Sequence, residues 1–293
     1  MTALPYTAEV TVPKDAEALA PPVFTMPELA CDTHFHVFET GYPSVADTQY
    51  PFPQATLDQY LEAHRALGFE RMVLVQPTYY GDDNSLTLDV LRKVGPRARA
   101  VIRIDDTTTE ADLDAYHELG VRAIRLDLFA RRERPVSELI AYIRGAAERT
   151  RPRGWHLQFY TPGTVVRALL PFLADLEDVF VIDHMGYMLE SEGLTESDFE
   201  QLLAVLGQGS CWIKLSGAYR IAKKKPLSSV EPLGRALVAT RPDRLIWGSD
   251  WPHLSAGPLD TGELLNLLAD WAPDPADRHR ILVDGPQTLF FAD

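Results

Sequence analysis

The feature that most constrains this chain is a repeated alternation of short apolar segments with segments of helical periodicity. Eight apolar runs read as strands, at 29–38, 72–75, 99–104, 121–128, 155–160, 179–184, 211–215 and 244–247. Helical spacing of apolar residues lies between them, at 56–67, 84–94, 109–119, 137–149, after Gly163, 195–206 and 227–239, and two short helices follow within 260–290. At roughly 30 residues per unit, this order is typical of an α/β protein built as a single (β/α)8 TIM-type barrel.

A doubly wound open sheet is the main alternative architecture. It is disfavoured because no Gly-x-Gly-x-x-Gly follows any of the predicted strands. Residues 1–28 contain five prolines and little periodicity, so they are predicted to form an extended N-terminal arm, with the barrel over residues 29–293.

Charge and cysteine content restrict the classes of function. The formal net charge of −14 argues against a general nucleic-acid binder and against binding to anionic membranes. The two cysteines, Cys31 and Cys211, lie in predicted strands and are expected to be free, buried thiols in a reducing cytosol. The chain shows neither a signal-peptide pattern nor a run of 18 apolar residues, so we expect a soluble, cytoplasmic protein.

Polar side chains recur where the predicted strands end, and in a barrel these ends form the catalytic face. His34 and His36 are two residues apart on the first strand, so alternation directs both to the same face. The other strand ends supply Gln76, Thr78, Arg125, Arg131, Gln158, Tyr160, His184, Ser216, Arg220 and Asp250, and the loop after the first strand supplies Tyr50.

Each of these residues has a structural alternative. An isolated Asp250 could cap a turn, an isolated His184 could be an interior imidazole, and Arg125 could pair with Asp127 on its own strand. Three imidazoles, a carboxylate and several guanidinium groups at one barrel mouth are harder to explain as packing, because buried charge is costly. The histidines and Asp250 could activate a water molecule or could hold one divalent metal ion, and the arginines suit a carboxylate or sulfonate.

Three motifs together resemble the amidohydrolase superfamily: His34-x-His36, Ile182-Asp183-His184-Met185-Gly186 and Trp247-Gly248-Ser249-Asp250-Trp251-Pro252-His253. The resemblance extends from about residue 28 over nearly the whole chain. It is strongest to the branch of 2-pyrone-4,6-dicarboxylate lactonase, 4-sulfomuconolactone hydrolase and D-galactarolactone isomerase. The segment Gly217-Ala218-Tyr219-Arg220 departs from the lactonase pattern and is partly similar to the isomerase.

The resemblance implies a role for each matching residue. Asp250 matches the general base, and His34, His36 and His184 match the histidines that polarise the lactone carbonyl. Six positions match the substrate-binding residues: Tyr50, Thr78, Arg125, Arg131, Tyr160 and Arg220.

The resemblance also bears on metal content. The pyrone dicarboxylate lactonase works without a metal, which implies no cofactor here. A single Zn²⁺ on His34, His36, His184 and Asp250 is the alternative. No lysine stands at the end of the fourth strand, where binuclear members carry a bridging carboxylated lysine, so a binuclear centre is not expected.

The sequence therefore predicts a lactonase that hydrolyses a small anionic lactone, dicarboxylate or sulfonated, with possible homo-oligomers and with neither nucleic-acid nor membrane partners. A sugar-acid lactone isomerase or a metal-dependent decarboxylase of the same superfamily is the alternative within enzymes. A catalytically silent binding protein is the alternative from another class.

Overall fold

The computed structural model describes residues 9–46, 48, 50–189, 192–254 and 256–292. Eight parallel strands form one sheet in chain order: β1 (Cys31–Phe35), β2 (Arg71–Val75), β3 (Ala98–Ile102), β4 (Val121–Asp127), β5 (His156–Tyr160), β6 (Phe180–Ile182), β7 (Cys211–Leu215) and β8 (Leu245–Trp247). The predicted barrel is confirmed.

The helices lie between the strands and after the last one. They are α1 (Leu57–Ala66), α2 (Ser85–Val94), α3 (Glu110–Leu119), α4 (Val136–Thr150), α5 (Gly163–Ala174), α6 (Glu196–Gly207), α7 (Ala218–Ala222), α8 (Glu231–Thr240), α9 (Thr261–Trp271) and α10 (Pro275–His279). Two π-helical turns follow, at Arg280–Asp284 and Gln287–Phe291. No helix within the described ranges combines the length and the apolar character needed to cross a membrane.

Threonine side chains set the start of three helices. Thr56, Thr109 and Thr195 each accept a hydrogen bond from the backbone three residues later, and the side chain there returns a bond to the threonine backbone. Such capping boxes satisfy amide groups that the first helical turn leaves unpaired. The predicted helices begin at these three threonines, and in the structure each threonine is the N-cap one position before its helix.

Strand boundaries differ from the prediction mainly at β1 and β6. The first strand ends at Phe35, so His36 lies just beyond it, and the sixth ends at Ile182, two residues before His184. The short helix α7 was not predicted, and the predicted helix over 227–239 is divided into a 3₁₀ turn (Leu227–Val230) and α8.

The barrel closes between β1 and the segment after β8. The amide of His36 donates to the carbonyl of Trp251 at 2.8 Å, and the amide of Asp250 donates to the carbonyl of His34 at 2.8 Å. Because these bonds cross between the two strand ends, the histidine pair and Asp250 are fixed relative to each other by backbone.

An irregularity in β1 determines which side chains face inward. Its pairing with β2 shifts register between Asp32 and Phe35. Asp32 and Phe35 both contact Tyr60 of α1, with the two aromatic rings stacked at 3.6 Å, whereas His34 faces the barrel interior. A bulge inserts one residue and re-aims the side chains that follow, which here brings the histidines to the mouth.

Apolar side chains fill the lower interior of the barrel. Cys31, Val73, Val101, Ala123, Val181 and Ile246 form one buried cluster with Phe290 from the C-terminal segment. Cys31 and Cys211 are free and buried, and burial raises the pKa of both thiols. Both cysteines therefore belong to the core.

Described residues of the N-terminal segment contact the outside of the barrel. They contain no strand, and their only helical element is the 3₁₀ turn Ala16–Ala18. Lys14 pairs with Asp260 at 2.6 Å, the amide of Ala20 donates to the same carboxylate, and the amide of Val23 donates to Asn266 of α9 at 2.9 Å. Residues 1–8 of the predicted arm lie outside the described residues.

Candidate active site

A cleft at the carboxyl ends of the strands gathers most of the residues that the sequence singled out. It is lined by His36, Tyr50, Pro77, Thr78, Arg125, Tyr160, His184, Arg220, Asp250 and Leu254. These residues come from seven of the eight strands or from the loops that follow them. The strands therefore bring together at one mouth residues that lie more than two hundred positions apart in sequence.

His34 and His36 face each other at the base of the cleft. Their Nε2 atoms are 3.3 Å apart, and Nδ1 of His36 is 2.7 Å from the carbonyl oxygen of Val75. Both rings are buried, and burial lowers the pKa of both histidines. The pair is therefore held as neutral imidazoles at neutral pH.

Asp250 lies above the histidine pair in a left-handed backbone conformation, with φ of 60°. Its Oδ2 accepts hydrogen bonds from Arg220 Nε at 2.6 Å and from the Tyr219 hydroxyl at 2.7 Å. Its Oδ1 is buried, lies 3.8 Å from Nε2 of both His34 and His36, and has no hydrogen-bond partner among the described residues. One carboxylate oxygen is thus held in place while the other is open to a reacting proton.

Charge around Asp250 decides its ionisation. Burial alone would raise the pKa of this carboxyl, but the Arg220 guanidinium and then the nearby histidines hold it well below its usual range. Asp250 is therefore an anion at neutral pH.

His184 occupies the turn after β6, where a 3₁₀ segment runs over His184–Tyr187 with φ of 52° at the histidine. Its Nδ1 is 2.9 Å from Ser216 Oγ, and its ring centroid is 5.0 Å from that of His34. Burial lowers its pKa to about 3. A Cβ on Gly217 would come within 2.8 Å of His184 Nδ1, so only glycine fits beside this imidazole.

Asp32 links the first strand of the barrel to the segment after the last strand, next to the site. Its carboxylate accepts from the Ser249 amide at 2.9 Å, the Ser249 hydroxyl at 2.6 Å and the His34 amide at 3.1 Å. Burial raises the pKa of Asp32 to about 6, an effect that these hydrogen bonds partly offset. The sequence analysis assigned no role to Asp32, although its place two residues before His34 suggested an interior position.

Lys214 is another buried polar residue to which the sequence pattern gave no role. It is fully buried on β7, where it bonds to the Thr33 carbonyl and to Gln158 Oε1, both at 3.0 Å. Its Nζ lies 3.4 Å from Asp183 Oδ1. Alternation along β7 puts Trp212, Lys214 and Ser216 on the same face, and this pattern indicates that Lys214 points inward.

Arg125 forms part of the cleft wall. Its guanidinium stacks over the Tyr160 ring at 4.4 Å and donates from Nη1 to the Gln76 carbonyl at 3.0 Å. The sequence left open an ion pair between Arg125 and Asp127. In the structure Asp127 pairs with Arg103 instead, at 3.3 Å. A buried guanidinium beside an open cleft is suited to an anionic ligand.

Arg131 is a sequence-derived candidate whose side chain lies apart from this cleft. Its guanidinium stacks over the Tyr142 ring at 4.2 Å and donates to the Asp127 carbonyl at 3.3 Å. It lines a separate surface pocket of about 460 Å³ with Arg134 and Glu138.

The spacing of possible ligand atoms suits one metal ion. His34, His36 and Asp250 each place one ligand atom within 4.8 Å of the others, and a second group combines His34, Asp183 and His184. Tetrahedral zinc takes imidazole nitrogen and carboxylate oxygen, and the open Oδ1 of Asp250 is such a donor. A mononuclear site fits, provided that His34 Nε2 carries a lone pair.

Comparison with known proteins agrees with the motifs. A family model described as amidohydrolase matches residues 31–292. A curated relative from Hydrogenophaga intermedia, named 4-sulfomuconolactone hydrolase, is 35% identical over 277 residues, which cover 91% of this chain and 90% of the relative.

Two further likenesses extend over the same length. A relative from Comamonas testosteroni, named 2-pyrone-4,6-dicarboxylate hydrolase, is 30% identical over 288 residues that cover 93% of each chain. The apo crystal structure of an Agrobacterium tumefaciens protein has a TM-score of 0.81 and 29% identity, covering 93% of this chain and 97% of that one.

Proposed function

The chain belongs to the amidohydrolase family, and from this premise we propose that it is a lactonase acting on a small anionic lactone. The observation that carries the proposal is the geometry of Asp250, whose ionised Oδ1 has no hydrogen-bond partner among the described residues and lies 3.8 Å from two imidazole nitrogens. A buried base beside neutral imidazoles is the arrangement that water-dependent opening of a carbonyl compound needs.

The first step is attack of water on the lactone carbonyl carbon. Asp250 accepts the proton of the attacking water through Oδ1, while Arg220 and Tyr219 keep Oδ2 in place. Negative charge develops on the carbonyl oxygen, and His184, which lines the cleft with its Nδ1 held by Ser216, can direct an Nε2–H group to it.

The second step is collapse of the tetrahedral intermediate. The bond between the former carbonyl carbon and the ring oxygen breaks, and Asp250 returns its proton to the leaving oxygen. The product is a hydroxy acid or its keto tautomer, with one more carboxylate than the substrate.

Substrate binding is assigned to the cationic side of the cleft. Arg125 and Arg220 would pair with the carboxylate or sulfonate groups of the lactone, and Tyr160, Tyr50 and Thr78 would line the ring. Names of the relatives support both kinds of anion, since one acts on a sulfonated lactone and another on a dicarboxylate. Arg131 remains a candidate contact that needs its side chain to leave Tyr142.

When bound at His34, His36 and Asp250, a zinc ion would supply a Lewis acid for the lactone carbonyl. The steps above use only groups of the chain itself.

A lactone panel followed by ¹H NMR tests the proposal. Purified protein is mixed separately with 2-pyrone-4,6-dicarboxylate, 4-sulfomuconolactone and an aldaric-acid lactone, and the products are identified. We expect a ring-opened acid from at least one of the first two. Conversion of the aldaric lactone to an isomeric lactone, with no ring opening of the other two, would show that the protein is a lactone isomerase and not a lactonase.

A further inference from the structure

The buried ammonium of Lys214 contacts the far side of the histidine pair. Two of its hydrogens go to the Thr33 carbonyl and Gln158 Oε1, both at 3.0 Å. The third faces His34 Nδ1 at 3.3 Å and Asp183 Oδ1 at 3.4 Å. Lys214 does not line the cleft, so it can act on substrate only through another residue.

Hydrogen-bond partners determine where the ring protons lie. The Val75 carbonyl can only accept, so Nδ1 of His36 carries a proton and Nε2 of the neutral ring bears a lone pair. His34 Nε2 lies 3.3 Å from that lone pair and must donate to it. His34 Nδ1 is then the lone-pair nitrogen, and it is the atom that faces Lys214.

We propose that Lys214 is a positioning residue that holds His34 in its Nε2–H tautomer. One directed chain of hydrogen bonds then runs from Lys214 through His34 and His36 to the Val75 carbonyl. His34 therefore presents a proton, and not a lone pair, to His36.

This proton position separates the two chemistries that the site could support. In the Nε2–H tautomer His34 donates to His36 Nε2, so it orients the His36 ring at the wall of the cleft and offers no lone pair to a metal ion. A zinc ligand would need the opposite tautomer, with Nδ1–H directed toward Asp183 Oδ1 at 3.5 Å. Lys214 competes for that same nitrogen and therefore favours the donor form.

Nitrogen NMR of histidine-labelled wild-type protein tests the tautomer without any substrate. A ring nitrogen that bears a proton and one that bears a lone pair have well-separated ¹⁵N shifts, and a His34→Gln variant identifies the His34 signals. We expect a protonated Nε2 and a lone-pair Nδ1 at His34. A protonated Nδ1 in the wild type would overturn the proposal, whatever the enzyme's substrate.

Variants test the role of the lysine. Lys214→Met is expected to move the His34 proton toward Nδ1 and, if the proposed lactonase activity holds, to lower kcat about 10²-fold with little change in KM, because the imidazole pair is no longer held in place. Lys224→Met removes an exposed lysine and is the control. An unchanged His34 tautomer in folded Lys214→Met would overturn the role of the lysine.

Folding of that variant is a separate question, because Lys214→Met leaves Asp183 as a buried charge without its closest cation. The ¹⁵N spectrum of the wild-type protein does not depend on this variant, so a protonated Nδ1 at His34 there would contradict the proposal even if Lys214→Met does not fold.

Discussion

Arg220 Nε donates a hydrogen bond of 2.6 Å to Asp250 Oδ2, so the proposed anion receptor and the proposed base are each other's partners. Both lie in the cleft, and Asp250 is fully buried. An anionic lactone entering the cleft therefore meets a guanidinium that already neutralises a carboxylate. Binding and base strength are coupled through this pair.

Replacing Arg220 should change both properties. Arg220→Met is expected to raise KM and, because Arg220 holds the pKa of Asp250 well below its usual range, to raise that pKa. The base works only when ionised, so the acid limb of kcat/KM should move to higher pH. Arg235→Met, at a surface ion pair on α8, is the control, and an unmoved acid limb in Arg220→Met would contradict the coupling.

Arg125 should act mainly on binding. Loss of a charge-assisted hydrogen bond of about 1.5–3 kcal/mol corresponds to a rise in KM of roughly tenfold or more in Arg125→Met. Arg125→Lys keeps the charge without the planar fork and should lie between wild type and Arg125→Met. Steady-state kinetics on an anionic lactone measure this order, and equal KM values in all three proteins would remove Arg125 from the substrate site.

The sequence predicts that Arg131 binds substrate, but its side chain lies outside the cleft, so a variant at this position tests the prediction. Its guanidinium lies over Tyr142 and not in the cleft. We still expect Arg131→Ala to raise KM more than it lowers kcat, because Phe129 of the same loop packs on Tyr160 of the cleft. Arg134→Ala, from the same surface pocket, is the control. An unchanged KM in Arg131→Ala would show that the side chain stays on Tyr142.

His156 should make the fold sensitive to acid. It is buried at the base of β5 against Phe290, with ring centroids 4.8 Å apart, and burial lowers its pKa to about 3. The unfolded chain takes up this proton below a pKa of about 6.5, so the contribution is fully present above that pH and is lost as pH falls toward 3.

The predicted slope is about 1.4 kcal/mol of unfolding free energy per pH unit below 6.5 for this one group. Urea unfolding of His156→Gln across pH 4.5–6.5 should show a slope smaller by about that amount. His279→Gln, at an exposed histidine, should keep the wild-type slope. Parallel curves for wild type and His156→Gln would contradict the assignment.

Much of the fold could be predicted because local patterns are strong in a barrel. Most strands are short and largely apolar, and the polar residues at the predicted strand ends include His34, Arg125 and Asp250. Thr56, Thr109 and Thr195 were recognised as helix starts, and only their capping role needed the structure.

The remaining features depend on contacts between distant residues. Lys214 and His34 are 180 residues apart, and no local pattern indicates that an interior lysine will meet a histidine. Asp32 acquires its role only when β8 places Ser249 beside it. The direction of the Arg131 side chain depends on Tyr142 of α4, which the strand-end pattern does not include.

The most direct test of the account compares wild type with Asp250→Asn on 2-pyrone-4,6-dicarboxylate and 4-sulfomuconolactone, following the loss of ultraviolet absorbance as the ring opens. The account predicts rapid loss with wild type on at least one lactone, and a kcat about 10²–10⁴-fold lower in Asp250→Asn, since one proton-transfer group contributes about that much. Circular dichroism should show an unchanged fold. A folded Asp250→Asn variant that opens the ring at nearly the wild-type rate would contradict the account.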